Sequence, residues 1–437
     1  MVPYNENENF QLCLPYGKGD ITIALPKNSN TYIITPPDHP GTNDLEGLLD
    51  EALANPIGSS TLRELVKDKK AKTACVIVND ITRPTPTESM LNAIARELNT
   101  SGISDQDIII LVATGTHRAN TAQELGEMLG QHALERFNVI NHDCLDENAL
   151  VKIGTTSSGM PVIINEAFVN ADLRISTGII APHQSAGFSG GRKSVMPGIA
   201  GLTSLKKHHG ADWRASCPVH GKLNGNKFHL EALEAARIAG LDFMVNTVPN
   251  YKKETVAVVA GDLEEAWLEG VKYARRVSEV SIPAMADITI VHCGGHPRDF
   301  NLYQAQKSIA SAEVVTKPGG IIIVLGECSD GIGGDIVQQW LEEAENPQEV
   351  MDRFNLEGFS PGTSKARAFA RAQLKTRIFL VSDKICSNTL KKMFIECYPD
   401  FESALEDAYK HSSPERVTIL LRNAPGVIPV MENSDSR

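Results

Sequence analysis

Residues 72–80, KTACVIVND, are an unbroken apolar run that ends in a polar loop. The same pattern returns twice, as DIIILVATG at 107–115 and DLRISTGII at 172–180, with helical segments such as SMLNAIARELN at 89–99 between the runs. Strands that lie in parallel sheets are buried on both faces and have such continuous runs of Val, Ile and Leu. The sequence therefore predicts an α/β fold with largely parallel sheets flanked by helices.

A second series of strands and helices begins near residue 280, with the strand DITIVHCGG at 287–295, the helix LYQAQKSIASAEVV at 302–315 and the strand GGIIIVLGE at 319–327. The 437 residues suit two or three domains, since a domain typically has about 100–200 residues. We predict two α/β domains, 1–280 and 281–437, with three short strands within the first 40 residues. Ligands of open α/β sheets bind beyond the carboxyl ends of the strands, and we expect the active site in the interdomain cleft.

Composition argues against several classes of protein. The formal charge is -12 and the pI is about 5.5, a poor balance for nucleic-acid binding, which needs dense Lys and Arg. The eight cysteines form no CxxC pair. No apolar run approaches the roughly 20 residues of a membrane span, and MVPYNENENF at the start of the chain lacks the features of a signal peptide. These features predict a cytoplasmic protein that acts on small molecules.

The loops after the first two strands carry candidate functional residues. Arg83 can donate two parallel hydrogen bonds to a carboxylate or a phosphate, and Asp80 can orient Arg83 or accept from a ribose hydroxyl. A stabilising ion pair within the loop is the alternative. His117 directly follows a glycine turn at a strand end and is well placed for acid–base chemistry, although a lone histidine is more often structural.

The third loop, APHQSAGFSGGRKSVMPG at 181–198, contains His183 and Lys193. Gly190 and Gly191 allow the backbone to approach a ligand closely, and successive amides form an anion-binding nest. A lysine held in such a nest can anchor a ligand covalently. The stretch GFSGGRKS nearly matches a P-loop, but an arginine stands where the motif needs its second glycine, which disfavours nucleotide hydrolysis.

Two further groups could contribute to a site. Imidazole suits nickel, zinc and copper alike, but neighbouring residues on a helix point about 100° apart, so at most one of His208 and His209 faces a site. In the second domain, Tyr303 and Lys307 share a helix face with Gln304 beside them. The alternative for this helix is a solvated amphipathic surface.

Two histidines at separate strand ends, with cationic groups for a carboxylate, suit inversion of the carbinol carbon of a 2-hydroxy acid. Its α-hydrogen is not acidic enough for easy removal as a proton. Either a metal stabilises an enolate, or the hydrogen leaves as hydride and a planar keto acid takes it back on either face. The second route needs only ordinary imidazole basicity at the hydroxyl proton, but it demands a hydride acceptor that no side chain supplies. The sequence has no GxGxxG fingerprint, so the residues alone leave that acceptor unnamed.

The chain resembles the nickel-pincer nucleotide-dependent lactate racemase family over roughly residues 10–330. Each sequence motif behind this resemblance is too short to identify the family alone, but the ordered set of motifs with its spacings is specific to that family. The resemblance rests on Asp80-x-x-Arg83, Gly115-Thr116-His117-Arg118, His183 with Lys193 ten residues later inside SGGRK, Pro197-Gly198, His209, and Tyr303-Gln304-x-x-Lys307.

The resemblance implies a pyridinium-3-thioamide-5-thiocarboxylic acid mononucleotide that holds nickel and is attached by separate maturation enzymes. It also implies a transient 2-keto acid formed by hydride transfer, a first domain for cofactor and catalysis, and substrate contacts from the second. The implied residue roles are Lys193 as the covalent tether, His209 as the nickel ligand, His117 and His183 as alternating proton acceptors, Arg83 and Lys307 on the substrate carboxylate, Tyr303 and Gln304 lining the site, and Asp80, Gly190 and Gly191 seating the nucleotide.

Other interpretations remain open at this stage. Lactate is the leading substrate, but Gln184 stands where lactate-type members are expected to have an aromatic or apolar residue, so another 2-hydroxy acid or a sugar acid is an alternative. A second alternative is a metallohydrolase with His117, His183 and His209 around zinc. A third alternative is a non-catalytic carboxylate or nucleotide-binding module. The sequence does not predict the oligomeric state.

Overall fold

A computed structural model describes residues 9–213 and 219–432, and these residues form two compact units. The first unit contains the described residues from 38 to 277, apart from 219 and 220. The second contains the described residues up to 37, residues 219 and 220, and those from 278 onward. Within the described part of the chain, no helix has both the length and the apolar character needed to cross a lipid bilayer.

The strands are numbered in chain order. They are β1 (Asn9–Tyr16), β2 (Gly19–Pro26), β3 (Thr31–Ile34), β4 (Ala74–Asn79), β5 (Ile108–Ala113), β6 (Asn138–Asn141), β7 (Leu150–Thr155), β8 (Pro161–Asn165), β9 (Leu173–Ile179), β10 (Pro182–His183), β11 (Gly187–Phe188), β12 (Phe243–Pro249), β13 (Thr255–Gly261), β14 (Glu279–Ile282), β15 (Ala286–His292), β16 (Thr316–Leu325), β17 (Arg377–Val381), β18 (Ile395–Tyr398), β19 (Thr418–Leu421) and β20 (Ile428–Met431).

The α-helices are numbered in the same way. They are α1 (Leu45–Ala54), α2 (Leu62–Lys69), α3 (Thr87–Thr100), α4 (Ala122–Leu129), α5 (Gln131–Arg136), α6 (Glu166–Asn170), α7 (Leu202–His208), α8 (Lys227–Ile238), α9 (Glu265–Ser278), α10 (Leu302–Val315), α11 (Asp335–Glu343), α12 (Pro347–Glu357), α13 (Thr363–Lys375), α14 (Ser387–Lys392) and α15 (Phe401–Lys410).

The first unit is built on a six-stranded sheet in the order β13-β12-β9-β4-β5-β6. All neighbouring strands are parallel except β13, which runs antiparallel to β12. Every residue of β4 from Ala74 to Val78 is buried, which explains its continuous apolar sequence. Side chains of α1, α2 and α3 pack with the sheet in one core, represented by Leu49, Leu62 and Ile94.

The second unit contains another six-stranded sheet, in the order β18-β17-β16-β15-β19-β3. All five pairs of neighbours are parallel. Fully or almost fully buried residues of β15, β16 and β17, among them Ile290, Ile323 and Phe379, form its core. The two sheets confirm the predicted α/β class with largely parallel sheets.

The first 37 residues belong with the second unit, which differs from the predicted division into 1–280 and 281–437. Strand β3 pairs in parallel with β19, with Ile33 opposite Leu420. The hairpin of β1 and β2 contributes Leu14, Ile23 and Leu25, all without exposed surface, to the core of the second unit. The described chain therefore starts in the second unit, forms the first unit from residue 38, and returns to the second unit near residue 278.

Three neighbouring strands of the first unit bring the predicted functional loops to one edge. Strands β9, β4 and β5 are adjacent and parallel. Parallel strands present their carboxyl ends at the same edge, where ligands of such sheets bind. The loops that begin at Asp80, Thr114 and Ile180 therefore all leave the sheet on that edge.

Candidate active site

Asp80 and His117 form a hydrogen-bonded pair across two of these loops. Asp80 directly follows β4, and its Oδ2 lies 2.5 Å from Nδ1 of His117. Its Oδ1 accepts from the backbone nitrogen (3.1 Å) and the hydroxyl (2.5 Å) of Thr82. An ionised carboxylate only accepts hydrogen bonds, so Nδ1 of His117 is the donor, and in the neutral ring Nε2 has the lone pair.

The surroundings of Asp80 keep it ionised. Only 5% of its side chain is exposed, and this burial opposes ionisation. Hydrogen bonds from His117 and Thr82 outweigh the burial, and they hold the pKa of Asp80 below its ordinary value. Asp80 is thus a fixed negative charge behind His117, whose own side chain is 48% exposed. A carboxylate in this position sets the tautomer of a basic imidazole and stabilises its protonated form.

Arg83 lies at the exposed end of the same network. Its Nη1 donates to the hydroxyl of Thr82 at 2.7 Å, and Thr82 in turn donates to Asp80. In this structure Asp80 also orients His117, and its predicted contacts with Arg83 and with a nucleotide stay predictions. The hydrogen-bonded path from Arg83 to Asp80 runs through Thr82, and the positive charge of Arg83 also helps to lower the pKa of Asp80.

His183 and Lys193 meet in the third loop. His183 ends β10, which pairs with β11 in a short hairpin, and its Nδ1 accepts from the backbone nitrogens of Ser185 and Ala186, each at 3.1 Å. A nitrogen that accepts two N–H groups has no hydrogen, so the neutral ring carries its hydrogen on Nε2. That Nε2 lies 3.1 Å from Nζ of Lys193. The amine of Lys193 and the imidazole of His183 are therefore in direct contact in the loop.

The two predicted catalytic histidines therefore differ in hydrogen bonding. His117 presents an acceptor at Nε2, whereas His183 presents a donor. The loops that carry them are also connected, because Gly115 N donates to Gly198 O at 2.9 Å and Gly198 N donates to the carbonyl of Lys193 at 3.1 Å.

The SGGRK segment is organised by a buried arginine that the sequence did not indicate as functional. Arg192 has no exposed surface, and it donates to the carbonyl oxygens of Ala186 and Phe188 (2.9 Å each) and of Gly190 (3.2 Å). Its guanidinium stacks 3.9 Å from the ring centroid of Trp267. Burial lowers the pKa of Arg192 to about 9. The residue that breaks the P-loop pattern thus holds the loop in shape around Lys193.

The glycines before Lys193 are required by packing. Asn246, in β12, accepts from the backbone nitrogen of Gly191 at 2.8 Å. Gly190 has a φ of 76°, and a Cβ there would lie 2.5 Å from Oδ1 of Asn246. Sequence reasoning missed Asn246, which carries no local motif.

His208 and His209 take different positions at the end of α7, as the helical geometry predicts. His208 is fully buried, and His209 is half-buried. Their rings lie 4.0 and 5.0 Å from the ring of Phe228, and Nζ of Lys193 lies 6.0 Å from the same ring. The predicted tether and the predicted nickel ligand therefore meet at one aromatic side chain.

Tyr303, Gln304 and Lys307 lie in the first turns of α10 in the second unit. Asn301 caps this helix by accepting from Gln304 N at 3.1 Å. Nζ of Lys307 donates to Oε1 of Gln304 at 3.0 Å, and burial raises the pKa of Tyr303. The structure thus places these three predicted substrate-binding residues side by side.

Comparison with known proteins identifies the family. The lactate racemase N-terminal domain matches residues 16–217, and the lactate racemase C-terminal domain matches residues 282–428. The chain belongs to the lactate racemase family. It is 32% identical over 423 residues to the lactate racemase of Thermoanaerobacterium thermosaccharolyticum, covering 94% of this chain and 98% of that protein. It is 34% identical over 422 residues to the lactate racemase of Lactiplantibacillus plantarum, covering 95% of this chain and 98% of the relative.

Solved structures of this family's fold agree with these matches. The apoprotein of the lactate racemase from T. thermosaccharolyticum superposes with a TM-score of 0.87 at 31% identity, over 96% of this chain and 100% of that one. A protein from Thermotoga maritima shares the fold, with a TM-score of 0.63 at 18% identity, over 90% of this chain and 100% of its own. Family membership confirms the predicted resemblance and the assignment of the chain as an isomerase.

Proposed function

We propose that this protein inverts C2 of a small 2-hydroxy acid, with lactate as the leading substrate, and that it uses a nickel-pincer nucleotide held by Lys193 and His209. The observation that carries the proposal is the arrangement at one sheet edge. An ionised Asp80 lies behind His117, and His183 contacts the amine of Lys193. The names of the relatives, lactate racemase in both cases, support lactate.

The residues fit such a cofactor better than a bare metal ion. Among residues 9–213 and 219–432, no three His, Cys, Asp or Glu side chains converge as a metal site. Nickel at His209 would thus take its remaining ligands from the nucleotide. Lys193, in contact with His183 and near Phe228, is the residue proposed to carry the covalent link. When bound, the cofactor supplies the hydride acceptor that no side chain offers.

His117 and His183 act on the proton of the substrate hydroxyl. Nε2 of His117 accepts that proton, and Asp80 stabilises the resulting imidazolium. A covalent link at Lys193 would remove the amine that Nε2 of His183 contacts. In the tautomer of this structure Nε2 of His183 would donate a hydrogen bond to the substrate, and its role as the second proton acceptor would require that hydrogen to move first. A general base or acid in such a position contributes roughly 10²–10⁴-fold to a rate.

Two cationic side chains are proposed to hold the substrate carboxylate. Arg83 presents a planar group suited to two parallel hydrogen bonds, and Lys307 presents an ammonium in the second unit. Their replacement, as Arg83→Met or Lys307→Met, should raise KM more than it lowers kcat if the contact is equally strong in the ground and transition states.

A larger 2-hydroxy acid with a further polar group is the second candidate substrate. The observation that favours it is Gln184, next to His183. Its Oε1 is buried and has no hydrogen-bond partner among the described residues. An unsatisfied buried acceptor costs roughly 1–3 kcal/mol, and a hydroxyl of a longer acid would satisfy it.

A panel of 2-hydroxy acids tests the proposal. The protein is produced together with the maturation enzymes and incubated with single enantiomers, and the products are separated by chiral chromatography. We expect both enantiomers of lactate or of a larger acid to appear, and an adduct on Lys193 in the intact mass. The variant Lys193→Arg should show neither. Activity restored by zinc alone with an unmodified Lys193 would instead identify a metallohydrolase.

A further inference from the structure

His208 lies directly beside the proposed nickel ligand and has no assigned role. It ends α7 with no exposed surface. Its Nε2 lies 2.9 Å from the carbonyl oxygen of Phe228, and its Nδ1 lies 3.3 Å from Nδ1 of His209. The two imidazole planes meet at 70° with their centroids 4.9 Å apart, an edge-to-face arrangement.

These contacts fix where each hydrogen must be. A carbonyl oxygen can only accept a hydrogen bond, so Nε2 of His208 carries a hydrogen. The ring is fully buried and packs on the side chain of Phe228, and a neutral ring with its hydrogen on Nε2 has only a lone pair on the other nitrogen. Nδ1 of His208 is then an acceptor, and the hydrogen between the two rings belongs to Nδ1 of His209.

We propose that His208 is a positioning residue that holds His209 in the tautomer with its hydrogen on Nδ1 and its lone pair on Nε2. A histidine side chain in water prefers the opposite tautomer, with hydrogen on Nε2. The tautomer of a metal-binding histidine is commonly set by a hydrogen bond from its other ring nitrogen. If the proposed function holds, on which this consequence rests, His208 sets the tautomer of the nickel ligand His209 before the metal arrives.

The carbonyl oxygen of Phe228 is a fixed hydrogen-bond acceptor for His208, because Phe228 belongs to α8. The residue belongs to the first turn of α8, whose start is capped by Asn226, which accepts from His229 N at 3.2 Å. A carbonyl has two lone pairs, so it can accept from His208 as well as from the helix. Its side-chain ring lies 4.0 Å from the ring of His208 and 5.0 Å from that of His209. Backbone and ring of one residue thus position both histidines.

Nitrogen-15 NMR of the cofactor-free chain tests the tautomer directly. Protein labelled only in its 12 histidines is measured at a pH where His209 is neutral, and His209→Gln identifies the signals of that residue. We expect His209 to carry its hydrogen on Nδ1. A hydrogen on Nε2 of His209 in the unsubstituted protein would overturn the proposal without any need for a variant.

Two substitutions of His208 separate its hydrogen bonds from its packing. His208→Phe keeps a ring against Phe228 but can neither accept from His209 nor donate to the carbonyl, so the signal of His209 should move to the Nε2–H tautomer. His208→Gln retains one acceptor and one donor and should keep the Nδ1–H tautomer. The control His132→Gln, at a side chain that is 92% exposed, should leave His209 unchanged. An unchanged tautomer in a folded His208→Phe protein would contradict the proposal.

Nickel retention provides a second readout that is independent of turnover. Protein matured with its cofactor is challenged with a chelator, and bound nickel is measured by mass spectrometry of the metal. Loss of the hydrogen-bonded partner of a metal ligand typically costs roughly 10–100-fold in affinity. We expect this loss of nickel in His208→Phe and a much smaller loss in His208→Gln. Equal nickel retention in the two variants would contradict the proposal that His208 positions His209. If the unsubstituted protein takes up no nickel, the proposed function fails, while the NMR result still decides the tautomer.

Discussion

The surroundings of single side chains determine which of the two central histidines is a base. Asp80 accepts from His117 and leaves an acceptor at Nε2, whereas two backbone amides donate to His183 and leave a donor there. Both residues follow apolar strands in the sequence, and nothing in their local sequence separates these roles. The difference arises because Asp80 lies 37 positions before His117, while the amides that fix His183 lie within its own loop.

Replacement of Asp80 tests the dependence of His117 on its carboxylate. In Asp80→Asn, the amide can donate to His117 and stabilise the wrong tautomer, so kcat should fall roughly 10²–10⁴-fold, the contribution of a positioned general base. Racemisation is measured on protein whose adduct on Lys193 equals that of the unsubstituted protein. Asp68→Asn, at an exposed position of α2, is the control. A kcat within threefold of the unsubstituted protein would rule out this role for Asp80.

Some functional residues were predictable and others were not, for a physical reason. His117, His183 and Lys193 could be predicted as candidate site residues because strand-end loops of parallel sheets bind ligands, and the family resemblance then suggested their roles. Arg192, Asn246 and His208 were missed as functional residues. The role of Asn246 depends on Gly191, 55 positions away, and that of His208 depends on Phe228, 20 positions away. Such long-range contacts leave no pattern in a single sequence.

At the level of elements, the SGGRK segment keeps its shape through one buried cation. It contains only a short 3₁₀ helix, Gly191–Ser194, so regular secondary structure does little to hold it. The guanidinium of Arg192 donates hydrogen bonds to the carbonyl oxygens of Ala186, Phe188 and Gly190. The loop that carries His183 and the helix turn that carries Lys193 are thereby joined.

The substitution Arg192→Lys tests this account. An ammonium cannot reach the several carbonyls that the planar group serves, and each lost hydrogen bond to a charged group costs about 1.5–3 kcal/mol. We expect the free energy of unfolding to fall by about 3 kcal/mol or more, measured by chemical denaturation. Arg237→Lys, whose partner Glu264 lies on the surface, should change it by less than about 1 kcal/mol. Equal small effects in both variants would mean that Arg192 does not organise the loop.

At the scale of the whole molecule, the class of fold was predictable but the assignment of the N-terminal strands was not. Continuous apolar runs identified the inner strands of both sheets. Proline and glycine around residues 15–40 also marked β1, β2 and β3 as strands. Their partners lie far along the chain, as with Ile33 opposite Leu420, and such pairing cannot be inferred from local sequence.

Truncation of Leu14 tests whether the N-terminal hairpin belongs to the core of the second unit. Leu14 has no exposed surface, and Leu→Ala at such sites costs about 2–5 kcal/mol. In Leu14→Ala, hydrogen exchange should increase in β15 and β16, while β4 and β9 remain protected. Leu356→Ala, at a side chain that is 88% exposed, should change stability by about 0.5 kcal/mol at most. Increased exchange in β4 instead of β15 would contradict the assignment.

The fate of the C2 hydrogen tests the central claim most directly. A single enantiomer of the preferred 2-hydroxy acid, deuterated at C2, is inverted by the cofactor-loaded protein in ordinary water, and the product is analysed by mass spectrometry. The account predicts that the inverted product retains deuterium at C2, because the histidines move only the hydroxyl proton. Exchange of that deuterium for solvent hydrogen at the rate of inversion would show that a base removes the C2 proton, and would contradict the account.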